Sequence, residues 1–225
     1  DGWRLGVHIA DVAFFVEQGS ALDVAARERG NSVYLPRHVI PMLPEVLSNG
    51  VCSLQEGVPR LTKSVFISFD AKGRPLGVRL ANTIIKSAKR LTYLEAQALI
   101  DGDQKEARKH ARTSPAYSDE LLEALQMANQ LAKTLRGRRK RDGMIVLHLP
   151  VVELVFDDDG HVIDAVPEDD AFTHTIIEMF MVEANEAVAR VFDDLGVPIL
   201  RRIHADPSFG DLSELEVYAR ALGLN

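Results

Sequence analysis

The chain of 225 residues contains one cysteine, one tryptophan and no apolar run of membrane-spanning length. Cys52 has no partner in the chain, which excludes an intrachain disulfide framework and favours a reducing compartment. We therefore predict a cytoplasmic location. A bilayer-spanning helix needs about 20 consecutive apolar residues, and because no such run is present the sequence predicts no membrane partner.

An excess of positive charge is also missing. Lysine and arginine together number 26, against 33 aspartates and glutamates, so the formal net charge is -7. This balance argues against a surface that is basic everywhere, although a local basic channel is compatible with an acidic total. The hydrophobic fraction of 46% and the charged fraction of 26% are typical of a globular protein with a packed core.

Alternation of apolar and polar residues predicts several strands. They are a strand at 3–10, hairpins at 64–70 with 76–85 and at 144–156 with 161–166, and a short strand at 199–203. Turn residues support both hairpins, since Asp70-Ala71-Lys72-Gly73 and Asp158-Asp159-Gly160 favour tight reversals. The proline-rich segment 31–60 is predicted to be irregular.

Capping residues and helical periodicity predict five helices. These are 21–29 after Ser20, a helix that starts at Tyr93 after a Thr92–Glu95 capping box, Ser118 to Arg136, 172–195, and 208–222. The polar segment 102–117 is predicted to be a loop or a frayed helix. Strands and helices do not alternate strictly, so the predicted fold class is α/β of an α+β-like kind, with a mixed, largely antiparallel sheet covered by helices.

Several blocks of sequence carry a family resemblance. They are Gly6-Val7-His8-Ile9-Ala10-Asp11-Val12, Ser32-Val33-Tyr34-Leu35-Pro36, the run from Pro41 to Asn49, Arg90-Leu91-Thr92-Tyr93, Ala184-Asn185-Glu186-Ala187 and Arg202-Ile203-His204. In this order and spacing the blocks resemble the RNB-domain exoribonucleases, the family of ribonuclease II and ribonuclease R. Agreement among several ordered blocks is far more specific than a match to one of them.

The resemblance implies an enzyme that hydrolyses single-stranded RNA from its 3′ end and releases nucleoside monophosphates. It implies two Mg²⁺ ions, held by an aspartate cluster, that activate a water and stabilise the leaving oxygen. That cluster is expected just upstream of residue 1, and a further arginine-containing block is expected after residue 225. Residues 1–225 are therefore predicted to be a partial RNB catalytic domain, with no catalytic or metal-binding residue and no activity of its own.

Three residues are predicted to bind RNA. Tyr93 matches the family tyrosine that stacks on a base near the RNA 3′ end, although a core tyrosine is the alternative. Arg202 and His204 share one face of the predicted strand, where they could meet phosphates or could equally pair with acidic helix faces. Phe209 is a candidate for a second stacking aromatic, but the spacing does not identify it.

The remaining candidates are interpreted as structural. Asp11 is predicted to bond backbone amides rather than a metal, and His8 to be a half-buried, hydrogen-bonded histidine. The basic cluster at 136–141 is interpreted as a solvated helix C-terminus in preference to a phosphate site. The run 157–160 is predicted to be a hairpin turn, because it lacks the ligand pattern of an EF-hand calcium loop.

Two other functions remain open. One is a catalytically inactive RNB-type protein that binds RNA as a regulator, and an aspartate cluster upstream of residue 1 would exclude it. The other is an α/β interaction domain that does not bind RNA. Salt dependence discriminates the second alternative, because binding to a phosphate backbone weakens as salt rises.

Overall fold

The computed structural model describes residues 2–147, 151–167, 169–203 and 205–223. Its strands are β1 (Gly2–Ala10), β2 (Val33–Leu35), β3 (His38–Ile40), β4 (Pro59–Asp70), β5 (Pro75–Lys86), β6 (Val152–Phe156) and β7 (Val162–Pro167). Its α-helices are α1 (Val12–Phe15), α2 (Ala21–Arg29), α3 (Tyr93–Ile100), α4 (Gln104–His110), α5 (Asp119–Arg141), α6 (Phe172–Asp194) and α7 (Phe209–Ala221). A π-helical segment spans Val46–Val51. The chain forms two compact units, the first ending at Val191 and the second beginning at Phe192.

The main sheet is antiparallel with strand order β1-β4-β5. The predicted turn joins β4 to β5, and the Asp70 carboxylate accepts hydrogen bonds from the backbone N–H groups of Lys72 and Arg74. Gly73 in this turn has a φ of 77°, and a Cβ there would come within 3.1 Å of the Thr134 Cγ2 atom. Glycine is therefore required both by the backbone conformation and by the close approach to helix α5.

The core lies between one face of this sheet and two long helices. Leu5 and Val7 of β1 and Val65, Ile67 and Phe69 of β4 supply the sheet side. The helices α5 and α6 complete the same cluster with the buried residues Leu131, Leu135, Met179, Ala184 and Ala187. Period-2 spacing on the strands and helical spacing on the helices thus bury one face of each element.

A second, smaller cluster supports the region around Tyr93. Ala98 and Leu99 of α3 and Ala107 of α4 are buried together, and Leu122 and Leu125 of α5 pack against them. Helix α3 begins after the predicted capping box, in which Thr92 Oγ1 accepts from the Glu95 N–H while the Glu95 carboxylate accepts from the Thr92 N–H. The start of α3 is therefore held at both its cap and its buried face.

The predicted fold class and most of the predicted elements are confirmed. Helix α2 has the predicted bounds, with Ser20 as its N-cap and Gly30 at a φ of 73° as its C-cap. The hairpin of β4 and β5 is longer than predicted, and helix α5 continues to Arg141 rather than ending at Arg136. Among the described helices, none combines the length and the apolarity that crossing a membrane requires.

Two local predictions are wrong, and a third, which left a loop and a frayed helix open, is refined. The segment 31–60, predicted to be irregular, contains the β2–β3 hairpin and the π-helical segment. The segment 102–117, predicted to be a loop or frayed helix, contains helix α4, whose N-cap Asp103 accepts from the N–H groups of Lys105 and Glu106. Residues 144–147 are outside any strand, so the second hairpin is shorter than its alternating pattern indicated.

The second unit contains helix α7, which Ser208 caps through a capping box with Asp211. The predicted strand at 199–203 is wrong, because these residues are in no strand and Leu200 and Ile203 are exposed. Alternation of apolar and polar residues is typical of a strand. A strand also needs a neighbouring chain segment to complete its backbone hydrogen bonds.

Candidate nucleic-acid interface

Tyr93 is the first residue of helix α3, and its side chain is 43% exposed. Its backbone carbonyl accepts a hydrogen bond from Thr173 Oγ1 at 2.9 Å, which ties the start of α3 to the start of α6. Thr92 donates from Oγ1 to the carbonyl of His110 at 3.2 Å. The tyrosine backbone is thus anchored on both sides, while a substantial part of its ring remains open to a ligand.

A second ring lies against that of Tyr93. The His174 imidazole stacks on it with the two ring centroids 3.8 Å apart and the planes inclined by 27°. His174 Nε2 lies 3.0 Å from the Asp169 carboxylate, which orients the imidazole. His174 therefore occupies one face of the Tyr93 ring and forms a stacked pair with it.

A cleft of about 600 Å³ adjoins Tyr93. It is lined by residues from the segment before α3, the start of α3, the end of α4 and two acidic positions. They are Arg90, Leu91, Thr92, Tyr93, Leu94, Lys109, His110, Ala111, Arg112, Glu153 and Asp169. Four of these side chains are basic and two are acidic, so the lining is more basic than the chain as a whole.

The basic side chains of the cleft differ in how they are neutralised. Glu106 accepts from Lys109 and lies 3.1 Å from His110 Nε2, so these two groups share one carboxylate. By contrast, Arg90 and Arg112 form no ion pair with any carboxylate of the described residues. Both guanidinium groups therefore keep their donors for an anionic ligand.

A network of hydrogen-bonded polar groups joins the segments that border the cleft. The Lys89 ammonium group, only 5% exposed, lies 3.2 Å from Glu56 and donates to Thr113 Oγ1 at 2.7 Å. The backbone N–H of Arg90 donates to Glu56 at 2.9 Å, and this bond, with one from Thr113, holds the pKa of the Glu56 carboxyl below its usual value. These contacts join the segment before α3 to the segment after α4.

A buried acid lies behind the cleft. Glu95 is fully buried in the first turn of α3 and accepts from the Tyr117 hydroxyl at 2.9 Å. Burial, followed by this hydrogen bond, raises the pKa of Tyr117 to about 12. Tyr117 is therefore a neutral donor at any physiological pH, and the pair braces α3 against the segment that leads into α5.

The sequence indicated Tyr93 as a candidate, and its RNA-binding role stays a prediction, but the residues around it were missed. His174, Lys109, His110 and Arg112 were not singled out, because the contacts that bring them to Tyr93 join elements far apart in the chain. One signal for α4 was present, since Asp103 followed three residues later by Glu106 is a typical helix start. No local pattern indicated the stacking of His174 on Tyr93.

The other two predicted RNA-binding residues belong to the second unit. Arg202 lies exposed in a segment that forms no strand, so its predicted place on a strand face is wrong. His204 lies outside the described residues. Phe209 is the first residue of α7 and is 87% exposed, which leaves its ring free but gives it no stacking partner among the described residues.

The prediction for Asp11 is wrong in its partner. Asp11 is buried, but its Oδ2 atom pairs with the Lys63 ammonium at 2.9 Å instead of bonding backbone amides, and its Oδ1 atom has no hydrogen-bond partner in the described chain. Lys63 stands on β4, far away in sequence, so no local pattern could indicate it. His8 matches its prediction: it is half-buried, its Nδ1 atom lies 2.7 Å from Ser64 Oγ, and burial lowers its pKa.

The prediction of a solvated basic cluster is wrong for Arg138 and Arg139. Their side chains are only 14% and 17% exposed, and both pair with Glu183 of α6, itself 4% exposed. Arg139 also pairs with Glu186 at 2.9 Å. Because α5 continues past Arg136, these arginines lie against α6 and join the two core helices rather than facing solvent.

The acidic run after β6 forms the predicted hairpin turn. Asp157 accepts from the His161 N–H at 2.8 Å, and ligand atoms of Asp157, Asp159 and His161 lie within 4.8 Å of one another. One imidazole and two exposed carboxylates do not match the all-oxygen, octahedral environment of Mg²⁺. Within the described ranges this is the one cluster with metal-ligand spacing, and it does not fit a catalytic magnesium site.

Comparison with known proteins shows which family the chain resembles. The family model described as "RNB domain" matches residues 1–223. Ribonuclease R of Thermotoga maritima is 39% identical over 222 residues, which are 99% of this chain and 30% of that protein. The chain thus spans less than a third of the length of this curated relative.

Solved structures of a ribonuclease R match the fold of nearly the whole chain. The structure of Mycoplasma genitalium RNase R in complex with ribose-methylated single-stranded RNA matches 99% of this chain and 33% of its own chain, with a TM-score of 0.89 and 30% identity. The same protein in complex with double-stranded RNA matches 99% of this chain and 38% of its own, with a TM-score of 0.88 and 31% identity.

Proposed function

The chain belongs to the RNB domain family, and from this membership we propose that it is part of a hydrolytic 3′-to-5′ exoribonuclease that degrades single-stranded RNA to nucleoside monophosphates. Residues 1–225 are then a partial RNB catalytic domain. We place the protein in the cytoplasm, because one buried cysteine, Cys52, suits a reducing compartment.

The observation that carries the proposal is the exposed Tyr93 residue, stacked against His174 at the edge of a cleft. Two guanidinium groups of this cleft pair with no carboxylate in the part of the chain that the structure describes. A flat ring beside cations is the combination that grips single strands without reading their sequence. A nucleobase stacks on the free face of Tyr93, while the Arg90 and Arg112 side chains meet phosphates. This division of roles suits an enzyme that must move along RNA of any sequence.

Arg202 and His204 remain proposed phosphate contacts of the second unit. The exposed guanidinium of Arg202 is compatible with that role, and Arg201 beside it is partly neutralised by Asp193 at 3.1 Å. In this proposal both side chains meet the RNA backbone and contribute affinity without sequence preference.

Exoribonucleases of the RNB family depend on a metal, and we propose that the ion is Mg²⁺, which would activate water and stabilise the leaving oxygen. The cluster of Asp157, Asp159 and His161 does not fit this ion, and the ligands are proposed to lie in the aspartate cluster upstream of residue 1. The role of this chain is to bind and orient the RNA strand.

The test uses the full-length protein with single-stranded RNA that carries a label at its 5′ end. We expect stepwise shortening from the 3′ end, nucleoside monophosphates as products, and loss of activity when a chelator removes the metal. RNA that is bound but never shortened, together with a missing aspartate cluster, would identify an inactive RNA-binding regulator. No salt-dependent RNA binding at all would point to an interaction domain that does not use RNA.

A further inference from the structure

The main sheet has a second face, opposite to the core. In the antiparallel register Gly6 lies opposite Phe66, which lies opposite Arg79, and residues opposite one another share a face. The next row toward the β4–β5 turn places Arg4, Ser68 and Gly77 side by side. We call these six residues the sheet platform: Arg4, Gly6, Phe66, Ser68, Gly77 and Arg79.

The platform is open. All of its residues are exposed except Phe66, which is half-buried, and a Cβ built on Gly77 would meet no atom within 4 Å. The same face is closed toward its other end, where Ser64 and Thr62 are 2% and 1% exposed and hydrogen-bond with Thr83. The free area is therefore confined to the half of the face beside the turn.

Cations and an aromatic ring meet at the centre of the platform. The guanidinium carbons of Arg4 and Arg79 each lie 5.8 Å from the centroid of the Phe66 ring. The His8 ring meets Phe66 edge-on at a centroid distance of 5.6 Å. Contact with the ring orients both guanidinium groups while their N–H donors stay available, since no carboxylate of the described residues pairs with either one.

The charge of this face is positive. Among the residues that the register of β1, β4 and β5 places on it, the one carboxylate is Asp70. Asp70 accepts from Arg74 Nε at 2.7 Å, so it is already neutralised. An anionic partner therefore meets two oriented guanidinium groups and no opposing charge from these strands.

We propose that the sheet platform is a second binding site for single-stranded RNA, with phosphates on Arg4 and Arg79 and a nucleobase on Phe66. The inference deepens the proposed function, on which it rests, by adding a contact made by residues that do not line the Tyr93 cleft. An open sheet face that carries an aromatic ring and guanidinium planes suits a single strand, whose bases are free to stack. A folded acidic partner would use the charges but would not need the exposed glycines around the ring.

The test measures binding of labelled single-stranded RNA to the full-length protein at several salt concentrations, with metal chelated so that the RNA stays intact. The double variant Arg4→Gln/Arg79→Gln should lower the slope of log Kd against log salt by about 1.4, since each phosphate contact on a single strand contributes about 0.7. Phe66→Leu should weaken binding by roughly fivefold or more without changing the slope, because it removes only stacking.

Two control variants make the result specific. Arg4→Lys/Arg79→Lys keeps the charges and should keep the slope. Lys86→Gln removes an exposed cation from the opposite face of β5 and should leave the affinity close to wild type. Unchanged RNA affinity and unchanged salt slope in Arg4→Gln/Arg79→Gln would overturn the proposal. Variants that lose thermal stability but bind RNA normally would also overturn it, because the platform residues would then serve only internal packing. Failure of the proposed function is recognised separately, since the wild-type protein would then not shorten RNA when metal is present.

Discussion

At the scale of single residues, Tyr93 is the side chain whose replacement is most informative. Removing its ring in Tyr93→Ala should cost about 1–3 kcal/mol of RNA-binding free energy, because base stacking on an aromatic ring is worth this much. Tyr93→Phe should bind like the wild type, since the flat ring is retained. Fluorescence anisotropy with chelated metal measures the difference.

Tyr218→Ala is the matched control, because Tyr218 is 60% exposed on helix α7 and does not line the Tyr93 cleft. Equal RNA affinity and equal end-product length for Tyr93→Ala and wild type would show that Tyr93 has no stacking role.

His174 gives the second prediction at this scale. His174→Ala leaves the back of the Tyr93 ring without its 3.8 Å neighbour, so the ring should lose orientation and RNA affinity should fall, by about 0.5–1.5 kcal/mol for one aromatic pair. His174→Phe should restore most of the loss. His161→Ala, at an exposed histidine of the β6–β7 turn, serves as the control in the same binding assay, and a loss as large as that of His174→Ala would contradict the stacking account.

Residue-scale predictions from the sequence succeeded where the interaction is local. The caps at Ser20, Thr92 and Ser118 were predicted because each hydrogen bond spans only three residues. The partner of Asp11 could not be predicted, because Lys63 becomes its neighbour only when β4 pairs beside β1.

At the scale of elements, the contact of α5 with α6 is the feature that the sequence did not reveal. Glu183 lies among the apolar residues of α6, is 4% exposed, and pairs with both Arg138 and Arg139. A long amphipathic pattern predicts two helices, but it does not predict which charged side chains become partners when the helices pack.

This contact makes a stability prediction. Glu183→Gln leaves two largely buried guanidinium groups without their shared carboxylate, and we expect a loss of about 3 kcal/mol in the free energy of unfolding, in the range for breaking a buried ion pair. Glu186→Gln, at a side chain that is 41% exposed, should cost less than about 1 kcal/mol. Urea denaturation compares the two variants, and equal losses would show that the buried network does not hold the helices together.

Prediction of elements was less accurate where an element depends on contacts with distant parts of the chain. The strand at 199–203 has an alternating pattern but no strand assignment, whereas helix α4 forms although its segment was predicted to be a loop or a frayed helix. Helix α4 contributes the buried Ala107 to the cluster with α3. Packing of this kind stabilises a short helix whose intrinsic propensity is weak.

At the scale of the whole molecule, the fold class followed from the sequence because strands and helices have distinct periods and their caps and turns are local. The cleft beside Tyr93 did not follow, since it is assembled from the segment before α3, the end of α4 and Glu153 of β6, with His174 at the start of α6 stacked on Tyr93. The resemblance of the ordered blocks made Tyr93 a candidate for base stacking, and the structure shows which residues surround it.

A prediction at this scale concerns which part of the protein binds RNA and which part holds the metal. The polypeptide 1–225, where its circular dichroism spectrum shows the helices and strands in place, should bind single-stranded RNA but should not shorten it in Mg²⁺, because the metal ligands are proposed to lie upstream of residue 1. Incubation with 5′-labelled RNA and electrophoresis of the products test this. Shortening that a chelator abolishes would place the metal ligands within these residues.

In the function proposed for this chain, the RNA strand reaches Tyr93 and stacks there near its 3′ end. The most direct measurement is photocrosslinking of the full-length protein, with metal chelated, to RNA that carries 4-thiouridine near its 3′ terminus, followed by mass spectrometry of the crosslinked peptides. We predict that the peptide containing Tyr93 is labelled, and that label placed near the 5′ end of a long RNA does not reach it. Efficient crosslinking that leaves this peptide unlabelled would contradict the account.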